Sequence, residues 1–224
     1  MPKKNLYVFG DSILRGVVWD EKAGRYRFSK VLDLDAACAP LQVTNRAKFG
    51  CTVDRGISIV RETLRRREPM KYAIVEYGGN DCDFDWQNVS DRPEIPHIPN
   101  TELSRFKLLY TDIITSLTDR GIKPILMTLP PLDAARYLNW ITKNGLSRER
   151  ILAFLGDTQR IYRFQELYSN AVAEVAKTMK CTLVDVRSAF LQSWDFTKLV
   201  CLDGIHPNEE GQKVIMHEFR KVFA

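Results

Sequence analysis

The stretch Asp203-Gly204-Ile205-His206-Pro207 holds one of only three histidines in the chain, the others being His97 and His217. A carboxylate three residues ahead of an imidazole, in a turn that contains glycine, can fold back onto the Nδ1–H. That contact fixes the tautomer that leaves Nε2 free as a base. His97 lies in a proline-rich stretch and His217 inside a helical pattern, and both read as structural. Near the other end, an apolar run leads directly into Gly10-Asp11-Ser12. A following helix would aim backbone N–H groups at an anion bound there, although Ser12 or Asp11 alone reads as readily as a helix cap. If the chain brings His206 beside Ser12, the hydroxyl becomes an activated nucleophile.

Two further segments carry groups suited to an oxyanion. Gly78-Gly79-Asn80-Asp81 follows an apolar run. The Asn80 amide can donate to developing negative charge, or the residue can simply occupy a left-handed turn position. In Asn45-Arg46-Ala47-Lys48-Phe49-Gly50-Cys51-Thr52, Gly50 could present its backbone N–H to the same oxyanion with no Cβ in the way.

These segments need a frame that gathers them. Short β-rich runs at 6–9, 41–44, 73–77, 124–129 and 182–186 alternate with helical patterns at 103–117, 164–179 and 214–222. Leu103, Phe106, Leu109, Tyr110, Ile113, Ile114 and Leu117 make one apolar stripe. Leu167, Tyr168, Ala171, Val172, Val175 and Met179 make another, and Pro207 suits a position close to the start of the last helix. Alternating strands and helices predict a parallel sheet covered on both faces, in a single domain over 1–224. Two insertions break the alternation. Residues 82–100 read as loop, with Pro93, Pro96 and Pro99. Residues 130–160 form a long excursion that holds Tyr137, Trp140 and Phe154. Both leave from carboxyl ends of expected strands, where open α/β sheets bind ligands, and are expected to form substrate walls or a lid.

At 224 residues, with 45% hydrophobic and 27% charged residues, the chain has globular composition. No apolar run approaches the ~18 residues of a membrane span, and the short run after Lys3-Lys4 is too brief for a secretory signal. A net charge of +5 is mild for a nucleic-acid binder. The densest basic run, Arg61 with Arg65, Arg66 and Arg67, sits where a helix ends and complements its dipole. Five scattered cysteines suggest neither a disulfide framework nor a zinc site, so a reducing, cytoplasmic setting is expected. Neither nucleic acid nor stable membrane association is expected.

Taken in order, Ser12, Gly50, Asn80 and Asp203-x-x-His206 resemble the GDSL/SGNH hydrolase family of esterases and acylhydrolases. Its Gly-Asp-Ser block matches residues 10–12, its later glycine Gly50, its Gly-x-Asn-Asp block residues 78–81, and its Asp-x-x-His block residues 203–206. The resemblance spans essentially the whole chain. It implies a three-layer α/β/α, flavodoxin-like fold around a mostly five-stranded parallel sheet. It also implies Ser12 as nucleophile, His206 as general base and then acid, and Asp203 as the residue orienting the imidazole. The N–H groups of Ser12 and Gly50, with the Asn80 amide, would form the oxyanion hole. No metal and no cofactor is implied. Ile13 stands where the family often has leucine, while Cys51 and Cys82 are less familiar neighbours of the motifs and read as small buried hydrophobes. The G-x-S-x-G elbow of α/β-hydrolases is absent.

The expected reaction is cleavage of a carboxylic ester through an acyl-enzyme. The favoured substrate is a short-chain, acetyl-type ester of a small molecule or carbohydrate. Phe84, Trp86, Tyr137 and Trp140 would stack on a sugar, line an acyl pocket or anchor the insertions. A lipid-type acylhydrolase and an acyltransferase use the same residues. A non-catalytic flavodoxin-like binding module shares the element pattern, but neither G-x-G-x-x-G nor G-x-x-x-x-G-K-[ST] is present.

Overall fold

The computed structural model describes residues 5–223. Strand β1 (Asn5–Gly10) is buried on both sides. Leu6 and Val8 face one core and Tyr7 and Phe9 the other, as a central parallel strand requires. The helix expected after Ser12 does not form. Residues 11–16 make a tight turn, closed by Arg15 N–H to the Asp11 carbonyl (3.0 Å) and Val17 N–H to the Ser12 carbonyl (2.9 Å). An antiparallel hairpin follows, β2 (Val17–Asp20) and β3 (Arg25–Phe28). Valines and aromatics at these positions favour strands over a helix.

Short helix α1 (Leu34–Ala37), capped by the Asp33 side chain, leads to β4 (Gln42–Asn45). Helix α2 (Val53–Arg65) ends in the arginine run, as expected, and β5 (Tyr72–Glu76) follows. The first insertion is not all loop. Asp85 accepts from Asn88 N–H and starts α3 (Trp86–Asp91). Beyond it come α4 (Leu103–Thr118) and β6 (Lys123–Met127). The second insertion carries α5 (Ala134–Thr142) and α6 (Arg148–Leu155).

Helix α7 (Gln159–Thr178) begins five residues earlier than the apolar pattern indicates, and its Leu167 is 48% exposed rather than on the buried face. Gln165 and Ser169 are buried there instead. Gln165 Nε2 donates to the Pro130 carbonyl, and Ser169 Oγ accepts Leu129 N–H. Polar groups buried in this way satisfy the backbone leaving β6. The last strand, β7 (Thr182–Val184), is short because Asp185 caps α8 (Val186–Leu191). After a 3₁₀ turn (Phe196–Leu199), α9 (Glu209–Phe223) starts well before 214, since Asn208 Oδ1 accepts the N–H groups of Glu210 and Gly211.

The five sheet strands run parallel in the order β4-β1-β5-β6-β7. Helices α2, α4 and α7 cover one face, and α1, α8 and α9 the other. The chain steps from β1 to one side and then back to β5 on the other, so a crevice opens beyond the carboxyl ends of β1 and β5. A third apolar cluster joins the two insertions through Phe84, Trp86, Val89, Leu132, Leu138 and Ile151. Its location makes it a wall over that crevice.

Candidate active site

Ser12 follows β1, Asn80 follows β5, and His206 lies in the loop before α9. His206 Nε2 is 2.9 Å from Ser12 Oγ, and Nδ1 is 2.6 Å from Asp203 Oδ2. Asp203 Oδ1 accepts the backbone N–H groups of Ile205 (3.0 Å) and His206 (3.1 Å). Burial opposes ionisation of Asp203, but the hydrogen bonds and charge of His206 hold its carboxyl below the usual carboxylate range. Asp203, His206 and Ser12 are all buried. In such surroundings the carboxylate can stabilise an imidazolium without competition from water.

The turn holding this pair is wedged against the second insertion. Gly204 has φ 81°, and a Cβ there would lie 2.5 Å from Tyr137 N and 2.7 Å from the Asp133 carbonyl oxygen. Asp133 N–H donates to the Gly204 carbonyl (2.8 Å). Only glycine fits this approach, so α5 and the Asp203–His206 turn define one another's position.

Asn80 Nδ2 donates to Asp11 Oδ2 (3.0 Å) and, at 3.3 Å, to the Cys51 carbonyl. Asn80 does not hold a left-handed turn position; Gly78 does, with φ 139°. The amide, not the backbone, is therefore what distinguishes this residue. Asp81 Oδ1 accepts Val53 N–H (3.0 Å) at the start of α2, which locks the Gly50 segment to the Asn80 loop. Gly50 has φ 66°, is exposed and does not line the cavity that holds Ser12, Asn80 and His206; it follows Phe49, whose ring stacks 6.0 Å from the His206 ring.

Ser12, Asn80 and His206 share a cavity of about 80 Å³. Phe84, Leu129, Pro130, Leu132, Ile161 and Phe164 supply its apolar wall. At its far side Asp83 accepts from Tyr137 Oη (2.6 Å) and Trp86 Nε1 (2.7 Å), and burial pushes the Asp83 carboxyl up to about 6. Of the four aromatics on the insertions, Phe84, Trp86 and Tyr137 are buried within the wall. Trp140 instead meets Trp19 of the hairpin (4.6 Å between centroids). Cys51 and Cys82 are buried, and burial pushes both thiols up, Cys51 to about 11.

Sequence reasoning missed Tyr26. It stands on β3, its ring centroid 5.2 Å from that of His206 in an edge-on arrangement and its phenol facing Asp203. The alternating Arg25-Tyr26-Arg27-Phe28 was the available signal for that strand, but nothing in it points to a histidine about 180 residues away. Glu76 and Asp11 were also missed; both are buried and line the cavity. His97 and His217 lie elsewhere. His97 Nε2 bonds the Arg92 carbonyl (2.8 Å), and His217 is exposed on α9.

The profile of the GDSL-like lipase/acylhydrolase family matches residues 8–214. The chain belongs to that family. It is 24% identical over 179 residues to the GDSL esterase/lipase WDL1 of Oryza sativa subsp. japonica, covering 79% of this chain and 63% of the relative. Against the GDSL esterase/lipase CPRD49 of Arabidopsis thaliana the identity is also 24%, over 79% of this chain and 64% of that protein. The chain thus spans under two thirds of the length of these curated relatives. Among solved structures, the GDSL-family fold recurs in a lipase/acylhydrolase from Enterococcus faecalis (TM-score 0.67, 18% identity, 98% of this chain and 95% of that one). It recurs again in the acetylxylan esterase Axe2 from Geobacillus stearothermophilus (TM-score 0.68, 18% identity, 100% and 94%). Among the described residues no helix is long and apolar enough to cross a membrane.

Proposed function

We propose that this GDSL-family chain is a serine esterase, with Ser12 as nucleophile, His206 as general base and then acid, and Asp203 orienting the imidazole. The hydrogen-bonded line from Asp203 Oδ2 through His206 to Ser12 Oγ carries this reading. Ser12 Oγ attacks the ester carbonyl as His206 Nε2 takes its proton. The tetrahedral oxyanion is received by the Ser12 and Gly50 N–H groups and by the Asn80 amide, whose long 3.3 Å contact to the Cys51 carbonyl gives way to it. His206 then protonates the leaving alcohol, and the acyl group stays on Ser12. Water, deprotonated by His206, attacks this acyl-enzyme, and the acid departs with Ser12 restored.

The substrate class in this reading is a short-chain ester of a small molecule or carbohydrate. A cavity of about 80 Å³ has room for several water-sized groups, at ~10–15 Å³ each, and its wall is apolar. That suits a short acyl group. Likeness in fold to an acetylxylan esterase agrees with acetyl as the smallest member. Five free cysteines fit a reducing, cytoplasmic setting.

The test is hydrolysis of p-nitrophenyl esters from acetyl to octanoyl, with Ser12→Ala alongside the wild type. Activity that is lost with Ser12 and declines toward octanoyl is the expected result. Activity that survives in Ser12→Ala overturns the assignment of the nucleophile, and a preference for octanoyl overturns the substrate class.

A further inference from the structure

Beneath Ser12 and Asn80 lies a pair of carboxyls that the reaction above does not use. Glu76, the last residue of β5, is 0% exposed and Asp11 is 1% exposed. Asp11 N–H donates to Glu76 Oε2 (3.3 Å), which brings the two buried carboxyls side by side. Gly10 makes room for this contact. A Cβ at that position would lie 2.9 Å from Glu76 Oε2, so a larger residue in β1 would push the carboxyl aside. Two buried carboxyls in contact cannot both ionise, so one proton must be held between them.

The surrounding donors decide where that proton sits. Asp11 accepts Ile13 N–H at Oδ1 (2.9 Å) and the Asn80 amide at Oδ2 (3.0 Å). Glu76 receives only the long Asp11 N–H contact, and its Oε1 has no partner. Negative charge is therefore better solvated on Asp11, and the proton belongs to Glu76.

We propose that Glu76 is a positioning residue whose neutral carboxyl donates to the Asp11 carboxylate, and that Asp11 in turn holds the Asn80 amide aimed at the oxyanion. Glu76 lies at the buried floor of the cavity beside Asp11, and it acts through Asp11 on Asn80. The inference rests on the esterase reading, since it assigns a support for that reading's oxyanion donor. The groups facing Glu76 agree. Asp11 comes from the turn after β1, Asp81 from the loop after β5, and Tyr110 from α4, with Tyr77 the next residue along. His206 approaches only by way of Asp11. Burial first, and then the charge of Asp11, push the Glu76 carboxyl well above the carboxylate range, while burial takes Asp11 only to about 6. Tyr77 and Tyr110 are pushed upward by burial and supply no cation.

The test compares Glu76→Gln, Glu76→Ala, Asn80→Ala and the Glu76→Ala/Asn80→Ala double variant on a p-nitrophenyl ester, with Ser12→Ala as control. Glutamine keeps a neutral side chain able to donate to Asp11. Glu76→Ala is expected to lower kcat at least about tenfold with KM little changed, and Glu76→Gln to recover most of the loss. In the Asn80→Ala background, Glu76→Ala should add less than about twofold, because the two act through one amide. Wild-type kcat should fall at alkaline pH as Glu76 ionises, and Glu76→Gln should lack that loss. Wild-type kcat in Glu76→Ala, full multiplication of the two single effects, or identical pH profiles for the wild type and Glu76→Gln each overturn the proposal. If Glu76→Ala does not fold, the Glu76→Gln profile decides alone. Activity persisting in Ser12→Ala strikes at the esterase reading instead.

Discussion

Ser12 and His206 stand 194 positions apart in the chain and 2.9 Å apart through Oγ and Nε2. Each is set by its own local device: Ser12 by the six-residue turn that closes onto β2, and His206 by the Asp203 carboxylate that gathers three N–H groups of its own turn. The sheet brings the two devices together, so the site tests the fold as a whole.

Asp203→Asn removes the acceptor that fixes the His206 tautomer. With the triad reading, kcat should fall by about 10³–10⁴ while the protein stays folded. Ester hydrolysis at neutral pH, with circular dichroism as control, measures it. Near-normal turnover would mean that another group orients the imidazole.

Gly204→Ala places a Cβ into the Tyr137 and Asp133 backbone and forces a residue into φ 81°. The expected cost is at least about 2 kcal/mol of stability, together with a loss of activity as His206 shifts. Chemical denaturation and turnover should fall together. A stable, fully active variant would show that α5 does not fix the turn.

Phe164→Ala opens the apolar wall beside Ser12. The acyl preference should move toward longer chains, with kcat/KM for hexanoyl rising relative to acetyl. A uniform fall across the ester series would place the acyl group elsewhere.

How much of this was legible in the sequence follows from the range of each signal. β1, β5 and β6 are short, largely apolar runs and could be read within a residue or two, as could the stripe of α4. The four motif segments were legible as well, because glycine, asparagine and an Asp-x-x-His turn are local patterns. Non-local relationships were not. Tyr26 reaches Asp203 and His206 only because the hairpin is latched to α9, where Glu209 accepts from Arg27 (2.7 Å) and Ser29 (2.5 Å). Glu76 reads in sequence as a polar residue ending a strand, and its role depends on the neighbouring strand bringing Asp11 beside it. The hairpin itself was missed because an N–H-rich helix start and a tight turn into a strand both follow Gly-Asp-Ser equally well. α3 is hidden in the sequence because prolines at 93, 96 and 99 give the segment the composition of a loop, although Asp85 caps a helix ahead of them.

Stability should carry the mark of the buried acids. Asp11 is raised to about 6 by burial, whereas an unfolded aspartate loses its proton near ~3.9. The folded state thus binds more protons, so the Asp11 contribution is complete below about pH 4 and is lost as the pH passes about 6. Glu76, raised further, extends the decline to higher pH from an unfolded value of ~4.3. Thermal melts of wild type and Glu76→Gln across this range should show the difference moving in favour of the variant as pH rises. A constant difference would mean Glu76 is already ionised in the folded protein.

The parallel order of the sheet has a consequence for biosynthesis. β1, which leads into Ser12, is the first of the five sheet strands to leave the ribosome, whereas His206 emerges only after all five have been made. On the proposed reading, a nascent chain, however well its early strands pair, carries its nucleophile without its base. On that reading a chain cut short before Asp203 is silent rather than partly active.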